Sequence, residues 1–205
     1  CSGLTSITIP SSVKRIRNYA FSHCSGLTSV TISSSVTRIG NSAFYDCSSL
    51  TKITIPSSVT SIGNFAFEYC SSLTSVTIPP SVSSIGDYAF SSCNSLTNIE
   101  IPSSVASIGD YAFGFCTSLE KITVSDNNTK YFSDDGILFN KEKSTLITYP
   151  AGKQKRKYSI PSSVTIIANS AFYYCRSLTS ISIPTPVRTI GDYVFEYCSG
   201  LTSVT

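Results

Sequence analysis

The chain has 205 residues, of which only 13% are charged, and its formal net charge is +3. Such a thin and nearly balanced charge gives no reason to expect a nucleic-acid partner. No apolar run approaches the ~18 residues that a membrane span needs, so the sequence predicts no membrane insertion of this segment.

Cysteines mark a fixed repeat along the chain. They recur every 23 residues from Cys1 to Cys116 and again from Cys175 to Cys198. A constant period in the twenties, with leucine and isoleucine at constant phase, is typical of a solenoid of stacked coils. We therefore expect one domain over residues 1–205. Because solenoids need polar caps at their ends, we also expect either a fragment of a longer protein or an array continued by another molecule.

The shared phase of the cysteines predicts one interior column of small apolar side chains. Side chains in such a column point the same way, which is poor geometry for a disulfide, so we expect reduced, buried thiols. No close pair of cysteines is present to begin a zinc site, and the sequence predicts neither a metal nor a cofactor.

Each coil begins with a strand and then turns. In the first coil Leu4, Ile7 and Ile9 alternate with polar residues, which predicts a strand with one buried face. Pro10 ends this strand because it has no N–H for the ladder. A glycine follows at the next corner in five coils, but Arg17 and Ala168 occupy the same position, so we interpret the glycine as a convenience rather than a requirement.

An asparagine or aspartate follows that corner in every complete coil. We interpret these residues as helix N-caps, each contributing roughly 1 kcal/mol. The next residues are Ala-Phe, as in Ala20-Phe21, and the phenylalanine is expected to fill the interior beside the cysteine. The N-cap series comprises Asn18, Asn41, Asn64, Asp87, Asp110, Asn169 and Asp192.

The combined pattern Leu-x-x-Val-x-Ile-Pro-x-x-Val-x-x-Ile-Gly-x-x-Ala-Phe-x-x-Cys resembles the BspA-like, or Treponema pallidum-type, leucine-rich repeat. Residue type and spacing match through seven coils. The resemblance implies an α/β leucine-rich repeat solenoid with a parallel β-sheet on one face and short helical turns on the other. It also implies an extracellular or cell-surface location, a role in adhesion to host matrix or neighbouring cells, and no enzyme activity.

One interval breaks the repeat. Cys116 and Cys175 are 59 residues apart, one period of 23 plus an insertion of 36 at about residues 125–160. Within it, Ile137–Phe139 and Leu146–Tyr149 flank a polar turn and predict a hairpin. The insertion either widens or bends the solenoid, which is a structural role, or binds a ligand. The second alternative is open because loops on a rigid scaffold often carry function.

The outward face of the sheet carries a column of mostly threonines, which we call the sheet-face column. Stacked hydroxyls about 4.8 Å apart could bind a glycan, a protein or ice. Threonine also favours strands and keeps an exposed sheet hydrated. The sheet-face column comprises Thr8, Thr31, Thr54, Thr77, Glu100 and Thr123.

Aromatic residues recur at two phases of the predicted turn. They are either an interaction surface, because aromatics bury large areas at low entropic cost, or packing between successive turns. The candidate partner-binding residues are Tyr19, Phe65, Tyr69, Tyr88, Tyr111, Phe115, Tyr174, Tyr193 and Tyr197.

Lys153, Lys155, Arg156 and Lys157 form a basic cluster, the one dense run of charge in the chain. It could meet a sulfated glycan or an acidic surface, and a solvated turn explains it equally well.

No arrangement of nucleophile, base and acid is present, and we predict that the chain is not an enzyme. The leading hypothesis is a surface or secreted adhesion module that presents its Ser/Thr and aromatic columns to a protein or glycan on a cell surface or matrix. The alternative is a self-associating filament or sheath scaffold that docks through its uncapped ends.

Overall fold

The computed structural model describes residues 1–205, which form nineteen short strands and no helix. No segment is therefore a helix that could cross a membrane. In chain order the strands are β1 Ser6–Ile9, β2 Arg15–Ile16, β3 Ser29–Ile32, β4 Arg38–Ile39, β5 Lys52–Thr54, β6 Ser61–Ile62, β7 Ser75–Thr77, β8 Ser84–Ile85, β9 Asn98–Ile101, β10 Ser107–Ile108, β11 Lys121–Val124, β12 Tyr131–Asp134, β13 Ile137–Asn140, β14 Thr145–Thr148, β15 Lys157–Ser159, β16 Ile166–Ile167, β17 Ser180–Ser182, β18 Thr189–Ile190 and β19 Ser203–Val204.

Each coil contributes one strand to a main sheet and one to a short ladder. In the main sheet β1, β3, β5 and β7 pair in parallel, β9 pairs with β11, and β15, β17 and β19 pair after the insertion. The register advances by one repeat per strand, as in the pair Thr54 and Thr77. Within β3, Val30 is buried between exposed Ser29 and Thr31, as the period of two predicts. The predicted parallel stack is confirmed.

The interior is filled by columns of identical residues. Phe44 and Phe67 stack with ring centroids 5.3 Å apart. Beside them, five of the seven buried cysteines donate the thiol hydrogen to a phenylalanine carbonyl of the preceding coil, as Cys70 Sγ does to Phe44 at 3.2 Å. These thiols are therefore both packed and hydrogen-bonded, and all eight cysteines are free.

The third side of each coil is a run of turns, and the predicted helical turns are wrong. We call this side the turn face, defined by residues 18–23, 41–46, 64–69, 87–92, 110–115, 169–174 and 192–197. The N–H of Phe44 donates to the carbonyl of Ala66 in the next coil at 2.8 Å, whereas the N–H of Tyr45 donates within its own coil to Ser42. An α-helix would direct successive N–H groups along its own axis. On the turn face, every second backbone N–H instead donates to a carbonyl of the neighbouring coil.

The Asn and Asp residues at the corner are not N-caps either, because no helix begins there. Asn41 Oδ1 accepts the backbone N–H of Asn64 at 3.1 Å, and Asp87 Oδ1 accepts that of Asp110 at 3.0 Å. The side chains form a ladder that connects one coil to the next.

The corner glycines are required where an ordinary coil lies below them, so their interpretation as a convenience is wrong. A Cβ on Gly63 would lie 2.6 Å from the carbonyl carbon of Gly40 and from the backbone nitrogen of Asn41. Arg17 belongs to the first coil, and Ala168 stacks on β14 of the insertion, its N–H donating to the carbonyl of Leu146 at 2.9 Å. Neither of these positions stacks on a corner of the usual kind.

The insertion begins as a normal coil and then departs from it. Asn128 is buried where the preceding coil has Val105, and its Nδ2 donates to the carbonyls of Pro102 and Val105. The chain then forms antiparallel β12, β13 and β14, and β14 pairs in parallel with β16. The predicted hairpin, β13 with β14, is confirmed. The sequence pattern missed β12, which extends it to three strands.

Candidate functional site

All nine predicted aromatic residues lie on the turn face with left-handed backbone. Their φ angles fall between 54° and 64°. For a residue with a Cβ this conformation costs roughly 1–2 kcal/mol. Contacts between coils offset the strain: the N–H of Tyr19, for example, donates to the carbonyl of Asn41 at 2.9 Å.

The first aromatic column is packed in its middle and open at its ends. Phe65, Tyr88 and Tyr111 stack face to face, with centroids 5.0 and 4.6 Å apart. Tyr19 and Tyr193, at the two ends, are 67% and 62% exposed. The middle of this column thus packs between successive turns, whereas its ends are exposed and available as an interaction surface.

The second column includes two aromatic residues that the sequence pattern missed. Tyr45 lies edge-on to Tyr69 with centroids 5.5 Å apart, and Tyr173 lies 4.3 Å from Phe115. Both occupy a phase that other coils fill with serine, glycine or glutamate, so no aromatic period marked them. Their exposed neighbours are Tyr69 and Tyr197, at 44% and 53% exposure.

Around the insertion the two columns merge into one cluster. Phe115 contacts Tyr174 at 5.7 Å and Tyr197 at 6.4 Å, while Tyr111 contacts Tyr193 at 6.4 Å. Residues 59 or more positions apart in the chain thus share one patch, which joins the coil before the insertion to the coil after it. Asn169 Nδ2 donates to Asp110 Oδ2 at 3.2 Å across the same junction.

The charged side chains of the turn face are acidic, apart from His23. Half of the chain's 12 carboxylates lie in its segments, and none of its 15 lysines and arginines does. The six are Asp46, Glu68, Asp87, Asp110, Asp192 and Glu196.

Glu68 is the most buried of these carboxylates, at 7% exposure. Burial raises its pKa to about 7, and the nearby Ser91 hydroxyl, which favours the charged form, opposes that shift only in part. The pKa of Tyr45 is raised by its own burial and further by Glu68. Charge on the aromatic surface therefore depends on pH near neutrality.

The sheet-face column lies in register along the main sheet. Thr8 pairs with Thr31 and Thr54 with Thr77, and all four are exposed. Glu100 opposes Thr123, which is half-buried beside the insertion. The column is therefore a strip of hydroxyls interrupted by one carboxylate, and it presents no aromatic side chain.

The basic cluster is half neutralised by one carboxylate. Lys153 Nζ lies 3.3 Å from Asp135 Oδ1, and Lys155 Nζ donates to Asp135 Oδ2. Hydrogen bonds from Lys155 and Lys153 lower the pKa of Asp135. Arg156 and Lys157 form no ion pair and are exposed.

The buried thiols are poor nucleophiles. Burial raises the pKa of Cys47 and of Cys116 to about 12, so almost none of either thiol is ionised at neutral pH. No group of three or more His, Cys, Asp or Glu side chains is placed to hold a metal ion.

Solved structures similar to this chain include several bacterial leucine-rich repeat proteins. The pneumococcal vaccine antigen PcpA superposes with a TM-score of 0.91 at 28% identity, covering 98% of this chain and 50% of that one. A leucine-rich cell surface protein of Faecalibacterium prausnitzii gives 0.80 at 35% identity, with 98% and 60% covered. The Treponema pallidum leucine-rich repeat protein gives 0.63 at 28% identity, with 96% and 78% covered.

The chain thus spans about half the length of the pneumococcal antigen and 60% of the Faecalibacterium protein. No curated protein matches it. The sequence model of the BspA type leucine rich repeat region matches six copies, over residues 1–94, 38–155 and 151–205. With the period, the parallel stack and the structural likeness in agreement, the chain belongs to the BspA type leucine-rich repeat family.

Proposed function

We propose that this chain is a non-catalytic, extracellular or cell-surface module that binds a protein partner through its turn face. The observation that carries the proposal is a set of turn-face tyrosines that remain exposed although their left-handed backbone is costly to adopt. They are Tyr19, Tyr69, Tyr193 and Tyr197. Tyrosine is enriched at the energetic centres of protein interfaces. The names of two similar structures, a vaccine antigen and a cell surface protein, support the location.

The turn face is a stronger candidate than the sheet-face column for physical reasons. An aromatic side chain buries about 150–250 Å² on contact and so contributes much of an interface by itself. Threonine hydroxyls such as those of Thr31 and Thr54 offer little apolar area, and water already satisfies them. A glycan or a protein that recognises the strip of hydroxyls would be a second, weaker contact.

The test measures retention of beads coated with the chain on surfaces bearing fibronectin, laminin or collagen, and on cultured epithelial cells. One variant combines Tyr69→Ser, Tyr193→Ser and Tyr197→Ser. Serine already occupies both aromatic phases with positive φ, at Ser42 and Ser92, so the backbone is expected to persist. The matched control combines Thr31→Ala, Thr54→Ala and Thr77→Ala on the main sheet.

We expect the wild type and the threonine variant to be retained and the tyrosine variant to lose most of its retention. Equal retention of the tyrosine variant, with its circular dichroism spectrum unchanged, would overturn the proposal. So would failure of the wild type to bind any of these surfaces.

A further inference from the structure

A crevice opens in the turn face where the coil before the insertion meets the coil after it. Its volume is about 50 Å³, and its walls include Asp110, Tyr111, Asn169, Ser170 and Tyr173. It exists because the backbone ladder of the turn face is interrupted here. Tyr88 N–H reaches the carbonyl of Asp110 in the next coil, whereas Tyr111 N–H makes no such bond to Asn169.

Polar groups at the crevice are left without hydrogen-bond partners in the protein, and one of them is the Tyr149 hydroxyl. The Ser170 hydroxyl is buried, with the residue 7% exposed, and has no hydrogen-bond partner. Asp110 Oδ1 accepts no backbone N–H, although Asp87 Oδ1 accepts one at 3.0 Å. An unpaired buried hydroxyl is unfavourable, so a hydrogen-bond donor that enters the crevice gains the Ser170 hydroxyl and Asp110 Oδ1 as acceptors.

The aromatic walls suit a cation. Tyr111 and Tyr173 meet edge to face with centroids 6.3 Å apart, and Tyr193 lies 6.4 Å from Tyr111 on the outer side. A contact of this kind already exists at the edge of the turn face, just beyond its segment 169–174. The guanidinium carbon of Arg176 lies 4.1 Å from the Tyr174 ring centroid, and its Nη2 donates to the Tyr174 hydroxyl at 2.7 Å.

We propose that this crevice is the anchor subsite for an arginine side chain of the partner protein that the turn face binds. The inference rests on the proposed function and adds the chemistry of the partner. The turn face carries six carboxylates and no lysine or arginine, so its field attracts a basic segment and repels an acidic one. Asp110 supplies the charge within the crevice, Ser170 an acceptor, and Tyr111 with Tyr173 the aromatic walls.

Size and shape favour arginine over other occupants. A water molecule needs about 10–15 Å³ by this measure, so the crevice holds roughly four non-hydrogen atoms, as many as a guanidinium group contains. A sugar ring or an indole is larger. A guanidinium also stacks flat on tyrosine and donates in several directions at once, which an ammonium does not.

Isothermal titration calorimetry at low salt provides the test. The probes are a capped pentapeptide with two arginines separated by glycine, and matched peptides with lysine or with neutral citrulline in their place. We expect the arginine peptide to bind about tenfold more tightly than the citrulline peptide, because only the first forms a charge-assisted contact with Asp110.

Paired variants localise the effect. Asp110→Asn removes one charge while keeping the ladder, since asparagine occupies this position in four coils. Asp87→Asn is the same change one coil away. Tyr111→Ser tests the aromatic wall, with the serine precedents Ser42 and Ser170, and Thr31→Ala on the main sheet is its control. We expect Asp110→Asn and Tyr111→Ser to weaken the arginine peptide about tenfold, and the two controls to change its affinity less than about twofold.

Equal affinity for the arginine and citrulline peptides would overturn the inference. Equal effects of Asp110→Asn and Asp87→Asn would also overturn it, because they would indicate a diffuse acidic field and no local subsite. Bead retention that depends on the turn-face tyrosines, without peptide discrimination, would leave the proposed function standing and remove the arginine subsite. Discrimination between the peptides without bead retention would support the arginine subsite and overturn the proposed function. Self-association seen in sedimentation experiments and abolished by Asp110→Asn would show that the crevice binds a second copy of this chain. It would overturn the proposal of a separate partner protein.

Discussion

The ring of Tyr149 stacks on that of Phe172 with centroids 5.2 Å apart, so that a tyrosine of the insertion occupies the interior position that phenylalanine fills in the coils. The Tyr149 hydroxyl is buried and has no hydrogen-bond partner, and burial raises its pKa. The insertion thus reproduces the core column at the expense of one unsatisfied polar group.

We expect Tyr149→Phe to increase the free energy of unfolding by about 1 kcal/mol, because it removes the orphaned hydroxyl and keeps the ring. Urea denaturation followed by circular dichroism measures the change. The matched reverse substitution, Phe172→Tyr, should decrease stability by a similar amount. A Tyr149→Phe variant less stable than the wild type would show that the hydroxyl has a partner in solution.

Glu68 should make stability depend on pH. Its pKa in the folded chain is about 7, above the usual 4.5, so the folded state binds its proton more tightly than the unfolded state does. The resulting stabilisation is complete below about pH 4.5 and is lost as the pH rises through 7. We expect Glu68→Gln to flatten the wild-type decline in unfolding free energy between pH 5 and pH 8. Parallel curves for the two proteins would contradict this assignment.

Gly86→Ala should be destabilising without any change of the sheet. A Cβ at this position would lie 2.6 Å from the carbonyl carbon of Gly63 in the coil below, and overpacking of this kind typically reduces stability by about 1–3 kcal/mol. Gly3→Ala is the control, since its added Cβ has no neighbour within 4 Å. Equal melting temperatures for the two variants would show that the coils are free to move apart.

A thiol-reactive maleimide should distinguish Cys1 from the other seven cysteines. Cys1 is exposed and the rest are buried, so mass spectrometry is expected to find one label on the folded chain within minutes and eight after denaturation. Cys198 should react next, because a hydrogen bond from Cys175 lowers its pKa. Rapid labelling of Cys93, whose pKa is raised by burial, would contradict the interior column.

The period of 23 was sufficient to predict the main sheet, the inward columns and the outward threonines, because those features repeat the local alternation of each coil. It was not sufficient for the turn face. There the hydrogen-bond partner of Phe44 belongs to the next coil, and large aromatics such as Tyr88 adopt a φ that residue preferences assign to glycine. A single coil read alone therefore resembles a capped helical turn.

The crevice could not be predicted at all. Asp110 and Ser170 line one crevice although the insertion separates them in the chain, and no periodicity within those 36 residues indicates its path. The aromatic candidates were found by their phase, and Tyr45 and Tyr173 were missed for the same reason. Recurrence identifies what coils share, whereas the proposed arginine subsite is formed by residues at one irregular junction.

The ladder of corner side chains has a consequence for how arrays of this kind change length. Asn41 Oδ1 binds the Asn64 backbone, and Asn64 Oδ1 binds that of Asp87, by the same bond at the same phase. Excising residues 64–86 would join Gly63 to Asp87. The backbone N–H of Asp87 could then donate to Asn41 Oδ1, as that of Asn64 does now. Whole coils are thus interchangeable modules, which a gene can gain or lose by unequal recombination while the remaining contacts persist.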